Sequence, residues 1–113
     1  VIDIMATIID ITGARYPETF NNEKLLPPEG ISFRPVFKQD TIVRQTPIFF
    51  EWGHGQAVID KEMKLVRYGL ENDWKLYDIA NDPTELNDIS DKLPEIKIKM
   101  SDAFKDWQIK VNK

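Results

Sequence analysis

Cysteine is missing from this chain, which excludes a disulfide frame, a thiolate metal site and a cysteine nucleophile. Histidine occurs once, as His54. No apolar run reaches membrane-spanning length, and no block of like charge is longer than a solvated helix face would carry. The net charge of −4 and a pI of about 5.0 argue against a binder of phosphate backbones, so no nucleic-acid partner is expected. What is present, in 113 residues of which 42% are hydrophobic and 11% aromatic, is enough for one core of real size. Val1 opens directly into an apolar helical pattern with no initiator methionine, and the expectation is a piece of a larger chain.

Residues 1–12 read as one helix closed by Gly13 at its C-terminal side. Asp3, Thr7 and Asp10 form a narrow polar stripe on it, and nearly everything else is apolar, so the helix is expected to seek burial over most of its circumference. Residues 14–30, with Pro17, Pro27, Pro28 and Gly30, read as a surface loop. A short helix is expected next, with Ser32 as its cap and Phe33, Val36 and Phe37 packing inward. A polar connector follows over residues 38–46.

From Pro47 the period changes from 3.6 to 2. Four extended runs are expected at 48–52, 56–60, 62–68 and 73–79, and their short links favour antiparallel hairpins. Met63, Leu65, Trp74 and Leu76 share one face and need a cover. The last helix supplies it, beginning near Pro94 and presenting Ile96, Met100, Ala103, Phe104, Trp107 and Val111 at helical spacing. Burial of that stripe is worth roughly 2 kcal/mol per large side chain before entropy. Between sheet and helix, residues 74–89 (WKLYDIANDPTELNDI) read as a strand that stops and restarts. Asp82 is placed as an N-cap, Pro83 at the first helical position and Glu85 where it closes a capping box. Leu86 and Ile89 would then turn back to the sheet.

That stretch resembles the W-[KE]-L-Y-D-L-x-x-D-P-x-E-x-x-N-L segment near the C-terminus of the sulfatase family. Two further stretches are similar to sulfatase patterns. Asp3, Thr7, Asp10 and Gly13 match the D-[LI]-x-P-T-[LI]-L-D-L-A-G helix that ends the large catalytic domain, with Ala6 where a proline is usual. Residues 30–37 resemble the D-G-x-S-L-x-P-L-L turn, with Glu29 replacing its aspartate. The resemblance implies that residues 1–40 are the tail of the large catalytic domain and residues 41–113 the C-terminal subdomain.

Chemistry has few places to reside. His54 lies between two glycines at a turn, where an imidazole can donate a hydrogen bond to a sulfate or a sugar hydroxyl. A solvent-exposed turn histidine is the plain alternative. Residues 51–58 (EWGHGQAV) resemble the W-E-H-E-G-x-R-A-V stretch whose loop approaches the sulfatase active-site mouth, with Gly53 and Gly55 where acidic residues are common. Ile59 and Met63 replace an arginine and a tryptophan usual just beyond it. Trp52 and Trp74 are candidates for an aromatic sugar platform, or else core residues of a small sheet. Arg44, Arg67 and Lys75 are candidates for steering an anionic substrate. Asp78, Asp82 and Asp88 lack the spacing of a calcium loop, and capping accounts better for Asp82.

The sulfatase nucleophile motif, C-x-P-x-R or S-x-P-x-R, is absent. The resemblance therefore implies an α+β fragment of a sulfuric-ester hydrolase of the arylsulfatase-like, alkaline-phosphatase superfamily. In this reading the fragment supplies scaffold and part of the substrate cleft, with no catalytic and no metal residues of its own and His54 as the substrate contact. Calcium and formylglycine are expected in the parent enzyme, and none in the fragment. The expected partners are the N-terminal catalytic domain of the same chain and a sulfated small molecule or carbohydrate, with no membrane span. Export to a periplasm or the exterior is a family expectation. Two other readings stay open: a non-catalytic interaction module, self-associating through residues 1–12, or a fragment of a related phosphoester hydrolase.

Overall fold

The computed structural model describes residues 2–38 and 41–112. The chain divides into two compact units, Val1–Arg44 and Gln45–Lys113.

In the first unit, α1 spans Ile2–Thr12 and stops where Gly13 turns left-handed (φ +69°), its N–H bonding the Ile9 carbonyl at 2.9 Å. The polar stripe is what this helix buries. Asp3 accepts the Ile31 N–H at 2.8 Å, Thr7 Oγ1 accepts the Phe33 N–H at 2.9 Å, and Asp10 accepts the Ser32 hydroxyl at 2.7 Å. Three side chains on one helical face thus hold the irregular segment 31–33 along the helix, two of them satisfying the Ile31 and Phe33 backbone donors. Arg44 also bonds Asp3, while its Nη1 is buried without an acceptor. Gly30 is obligatory here, since a Cβ would fall 2.1 Å from the Ile2 carbonyl oxygen. The expected burial of the apolar circumference does not occur: Ile2, Ile4, Met5, Ile8 and Ile11 are all 45–54% exposed.

The expected loop contains a small hairpin of β1 (Thr19–Phe20) and β2 (Glu23–Lys24). Asn21 and Asn22 turn it at φ +49° and +67°, which asparagine tolerates better than most residues. The short helix at Arg34–Phe37 is a 3-10 turn, and Ser32 Oγ accepts the Arg34 N–H at 3.1 Å. Phe37 faces outward at 71% exposure and Val36 is exposed, contrary to the expected inward packing, because a single 3-10 turn cannot bury three sides. The connector expectation for residues 38–46 falls partly outside the described residues.

The second unit carries the four-stranded antiparallel sheet, β3 (Ile48–Trp52), β4 (Gly55–Asp60), β5 (Met63–Tyr68) and β6 (Lys75–Asp78), in sequential order. The long α2 (Pro94–Val111) packs on β4 and β5. Strand alternation puts Val58, Leu65, Leu76 and Trp74 on the covered face, where they meet Met100 and Phe104. Phe49, Ile96 and Trp107 close the margins. Phe49 stacks on Trp107 at 5.4 Å between centroids, and Trp74 meets Phe104 edge-on at the same distance.

The segment from β6 to α2 departs from its sequence reading. No helix starts at Asp82. Its carboxylate accepts the N–H groups of Leu86 (3.2 Å) and Asn87 (2.8 Å), and Glu85 adopts φ +56°. A left-handed residue ends helical propagation, so Glu85 swings away from the cap and pairs with Lys64 instead. Leu86 is 80% exposed as a result, whereas Ile89 does pack on the core and donates its N–H to the Leu76 carbonyl.

Candidate functional site

His54 sits at the tip of the β3–β4 hairpin. The Trp52–Gly55 pair closes a two-residue turn of Gly53 and His54, with positive φ (+55°) at Gly53 and not at His54. That is the pattern of a type II′ turn, whose twist matches the strands and whose first position favours glycine. The His54 carbonyl accepts the Gly69 N–H at 2.8 Å, so the backbone beneath the imidazole is fixed from the neighbouring hairpin. The ring itself is exposed and stands edge-on to Tyr68 at 6.3 Å.

Of the two tryptophans, only one lies at a surface. Trp74 is buried in the core, and Arg67 stacks over its ring at 4.6 Å. It cannot serve as a platform. Trp52 is 90% exposed, because the β3–β4 register assigns Phe49 and Glu51 to the helix side and leaves Phe50 and Trp52 on the other. Tyr68, missed in the sequence, pairs with Gly55 in β5 and is 73% exposed. Its Cδ2 comes within 3.9 Å of where a Gly55 Cβ would be, so the ring rests against the glycine. A strand residue opposite a glycine is the sequence signal that could have found it.

The three candidate steering cations are otherwise engaged or offset. Arg44 holds Asp3 in the first unit. Arg67 donates to Gln56 Oε1, and Gln56 in turn donates to Glu51 at 3.0 Å, which also receives Gln108 at 2.6 Å. Lys75 shares a groove with Arg67, but Asp73, Asp88 and Asp91 line it too.

The acidic residues around the turn after β6 are structural. The Asn81 side chain, followed by the Asn81 and Ala80 N–H groups, holds Asp78 below the usual carboxylate range. The Asn87 and Leu86 N–H groups do the same for Asp82. Burial pushes Asp88 up, but its bonds from Ser90 and Leu76 outweigh that and leave it low. Among the described residues no group of three His, Cys, Asp or Glu side chains can hold a metal ion. No helix among the described residues is long and apolar enough to cross a membrane.

No family model matches the sequence. Solved structures do match its fold. A Bacteroides thetaiotaomicron 6S-sulfatase, described with that organism's metabolism of multiple glycosaminoglycans, superposes with a TM-score of 0.72 at 18% identity, covering 95% of this chain and 24% of the other. A protein solved with its substrate D-glucosamine-2-N,6-O-disulfate gives 0.63 at 17% identity, over 94% and 23%. Ps i-CgsB, solved also with k-i-k-neocarrahexaose, gives 0.72 at 20% identity, over 93% and 23%. The chain thus spans about a quarter of the length of the structures it matches. Its α+β fold is that of a C-terminal portion of a sulfatase.

Proposed function

We propose that this chain is the C-terminal part of a sulfatase hydrolysing sulfate monoesters of carbohydrates, with an arylsulfatase-like catalytic domain elsewhere in the same polypeptide. The observation that carries this is the fold match over nearly the whole chain to proteins seen with a disulfated glucosamine and a neocarrahexaose. The motif resemblances at residues 1–13, 51–58 and 74–89 support it independently of geometry.

In this reading residues 1–40 end the large domain and residues 41–113 form the C-terminal subdomain. The exposed aliphatic face of α1 is the surface that the remaining polypeptide covers. The second unit is scaffold and one cleft wall. From that wall the His54 imidazole donates a hydrogen bond to a sulfate oxygen or sugar hydroxyl. The glycines on either side leave it exposed at the turn, with Tyr68 edge-on to its ring. The nucleophile, formylglycine in sulfatases, belongs to the large domain, as does calcium, and export to the periplasm or exterior follows the family.

The parent enzyme should release sulfate from a sulfated glucosamine, and the isolated fragment should not turn over an aryl sulfate even with calcium added. Release of phosphate from a phosphomonoester, with no sulfate release, would place the parent among phosphoester hydrolases instead. The exposed α1 face also favours a second reading, an interaction module. A parent that is inactive on both esters, together with a stable oligomer disrupted by Ile8→Asp, would support that alternative.

A further inference from the structure

Strand register gathers three exposed aromatic side chains on the face of the sheet opposite α2. Phe50 and Trp52 lie in β3, and Tyr68 lies two strands away in β5. The residues of β4 that separate them are Ala57 (paired with Phe50) and Gly55 (paired with both Trp52 and Tyr68). The aromatics therefore rise from a floor with almost no side chains, across about 9–10 Å of sheet. Trp52 is 90%, Tyr68 73% and Phe50 49% exposed, and the His54 imidazole stands at the turn end beside Tyr68.

Resting on the sulfatase reading above, we propose that Trp52 and Tyr68 form a stacking subsite for a pyranose ring of an oligosaccharide, with His54 donating to one of its hydroxyl or sulfate oxygens. The composition separates this patch from the α1 face. The α1 face is purely aliphatic, with isoleucines and a methionine, as a protein contact would be. The hairpin tip combines flat amphipathic rings, small residues and a polar imidazole, which is how a site presents an apolar face and hydrogen-bond donors to a sugar at once. The turn is held by Gly53 and by the Gly69–His54 backbone bond, so binding orders little backbone. The subsite takes a ring of the oligosaccharide and leaves the scissile ester to the catalytic domain.

The test titrates the chain with κ-carrageenan and heparin hexasaccharides and follows backbone amide shifts. At least one should move the Gly53, His54 and Gly55 amides saturably. Trp52→Ala should weaken that binding about tenfold and Tyr68→Ala by a smaller factor, with Lys99→Ala unchanged. Trp52 is so exposed that the alanine variant keeps its fold, and the core amides check this. Binding of neither probe, or equal binding by Trp52→Ala, overturns the proposal. In the parent enzyme Trp52→Ala should raise KM for the oligosaccharide and leave that for a small aryl sulfate unchanged. A loss of parent stability with no change in KM would assign Trp52 to an interdomain contact and also overturn it. If the fragment fails to bind sugars while the parent releases sulfate, only this subsite falls. If Trp52-dependent binding holds while the parent cleaves only phosphoesters, the sulfatase reading falls alone.

Discussion

Phe104→Ala should remove most of the stability of the second unit. Phe104 is 1% exposed and lies at the centre of an aromatic cluster, 5.4 Å from Trp74, 5.5 Å from Trp107 and 6.3 Å from Phe49 between ring centroids. Truncating a phenylalanine buried this way costs about 3–5 kcal/mol, through lost transfer free energy and a cavity that neighbours only partly fill. A unit of this size has in total roughly 3–10 kcal/mol. The variant should therefore be largely unfolded at 37 °C, or unfold at far lower urea. Urea titration followed by tryptophan emission measures it directly, since two of the reporters touch the deleted ring. Leu86→Ala is the control: at 80% exposure it should stay within about 0.5 kcal/mol of the parent chain. A loss below about 1 kcal/mol for Phe104→Ala would refute the placement of the core between sheet and α2.

Thr7→Val keeps the shape of a buried side chain but removes the acceptor of the Phe33 N–H, and should cost about 1–3 kcal/mol and accelerate Phe33 amide exchange. Lys61 holds φ +55° in the β4–β5 turn, so Lys61→Gly should stabilise by roughly 0.5 kcal/mol, read as a rise in thermal midpoint. Asp3, Asp10, Asp73, Asp78, Asp82 and Asp88 all have carboxyls held low. Groups lowered in the folded state contribute stability that is complete above the unfolded value of about 4 and is lost as pH falls through the folded values. The thermal midpoint should thus drop steeply between pH 4 and pH 2, with no loss from these groups between pH 5 and pH 8, and equal midpoints at pH 5 and pH 2.5 would contradict this. In the parent enzyme His54→Ala should lower kcat/KM on the sulfated sugar by about tenfold or more, the effect of losing one hydrogen bond to a charged group.

The sheet and α2 were legible in the sequence because each carries its own period and because short links, two residues each for β3–β4 and β4–β5, join strands that must then pair as neighbours. The face of β3 was not. Ile48, Phe50 and Trp52 alternate as well as Phe49 and Glu51 do, and only pairing with β4 puts Phe49 beneath Trp107. Trp52 and Trp74 looked equivalent for the same reason, yet one is exposed and the other is core. The strands at Thr19–Phe20 and Glu23–Lys24 are too short for any period, and the Asn21-Asn22 pair was their single signal. At Asp82 the chemistry was read correctly as N–H acceptance, but the donors are Leu86 and Asn87 across a left-handed Glu85 and not a helical first turn. The polar stripe of α1 was visible, and its purpose was not, because its partners at residues 31–33 lie more than twenty positions away.

The central claim, that this chain is part of a sulfatase, is tested most directly by sequencing the polypeptide that precedes Val1. The account predicts a C-x-P-x-R or S-x-P-x-R motif in a catalytic domain about three times the length of this chain, as coverage of the matched structures implies. An upstream sequence without that motif, carrying a different nucleophile or no catalytic domain at all, would contradict it.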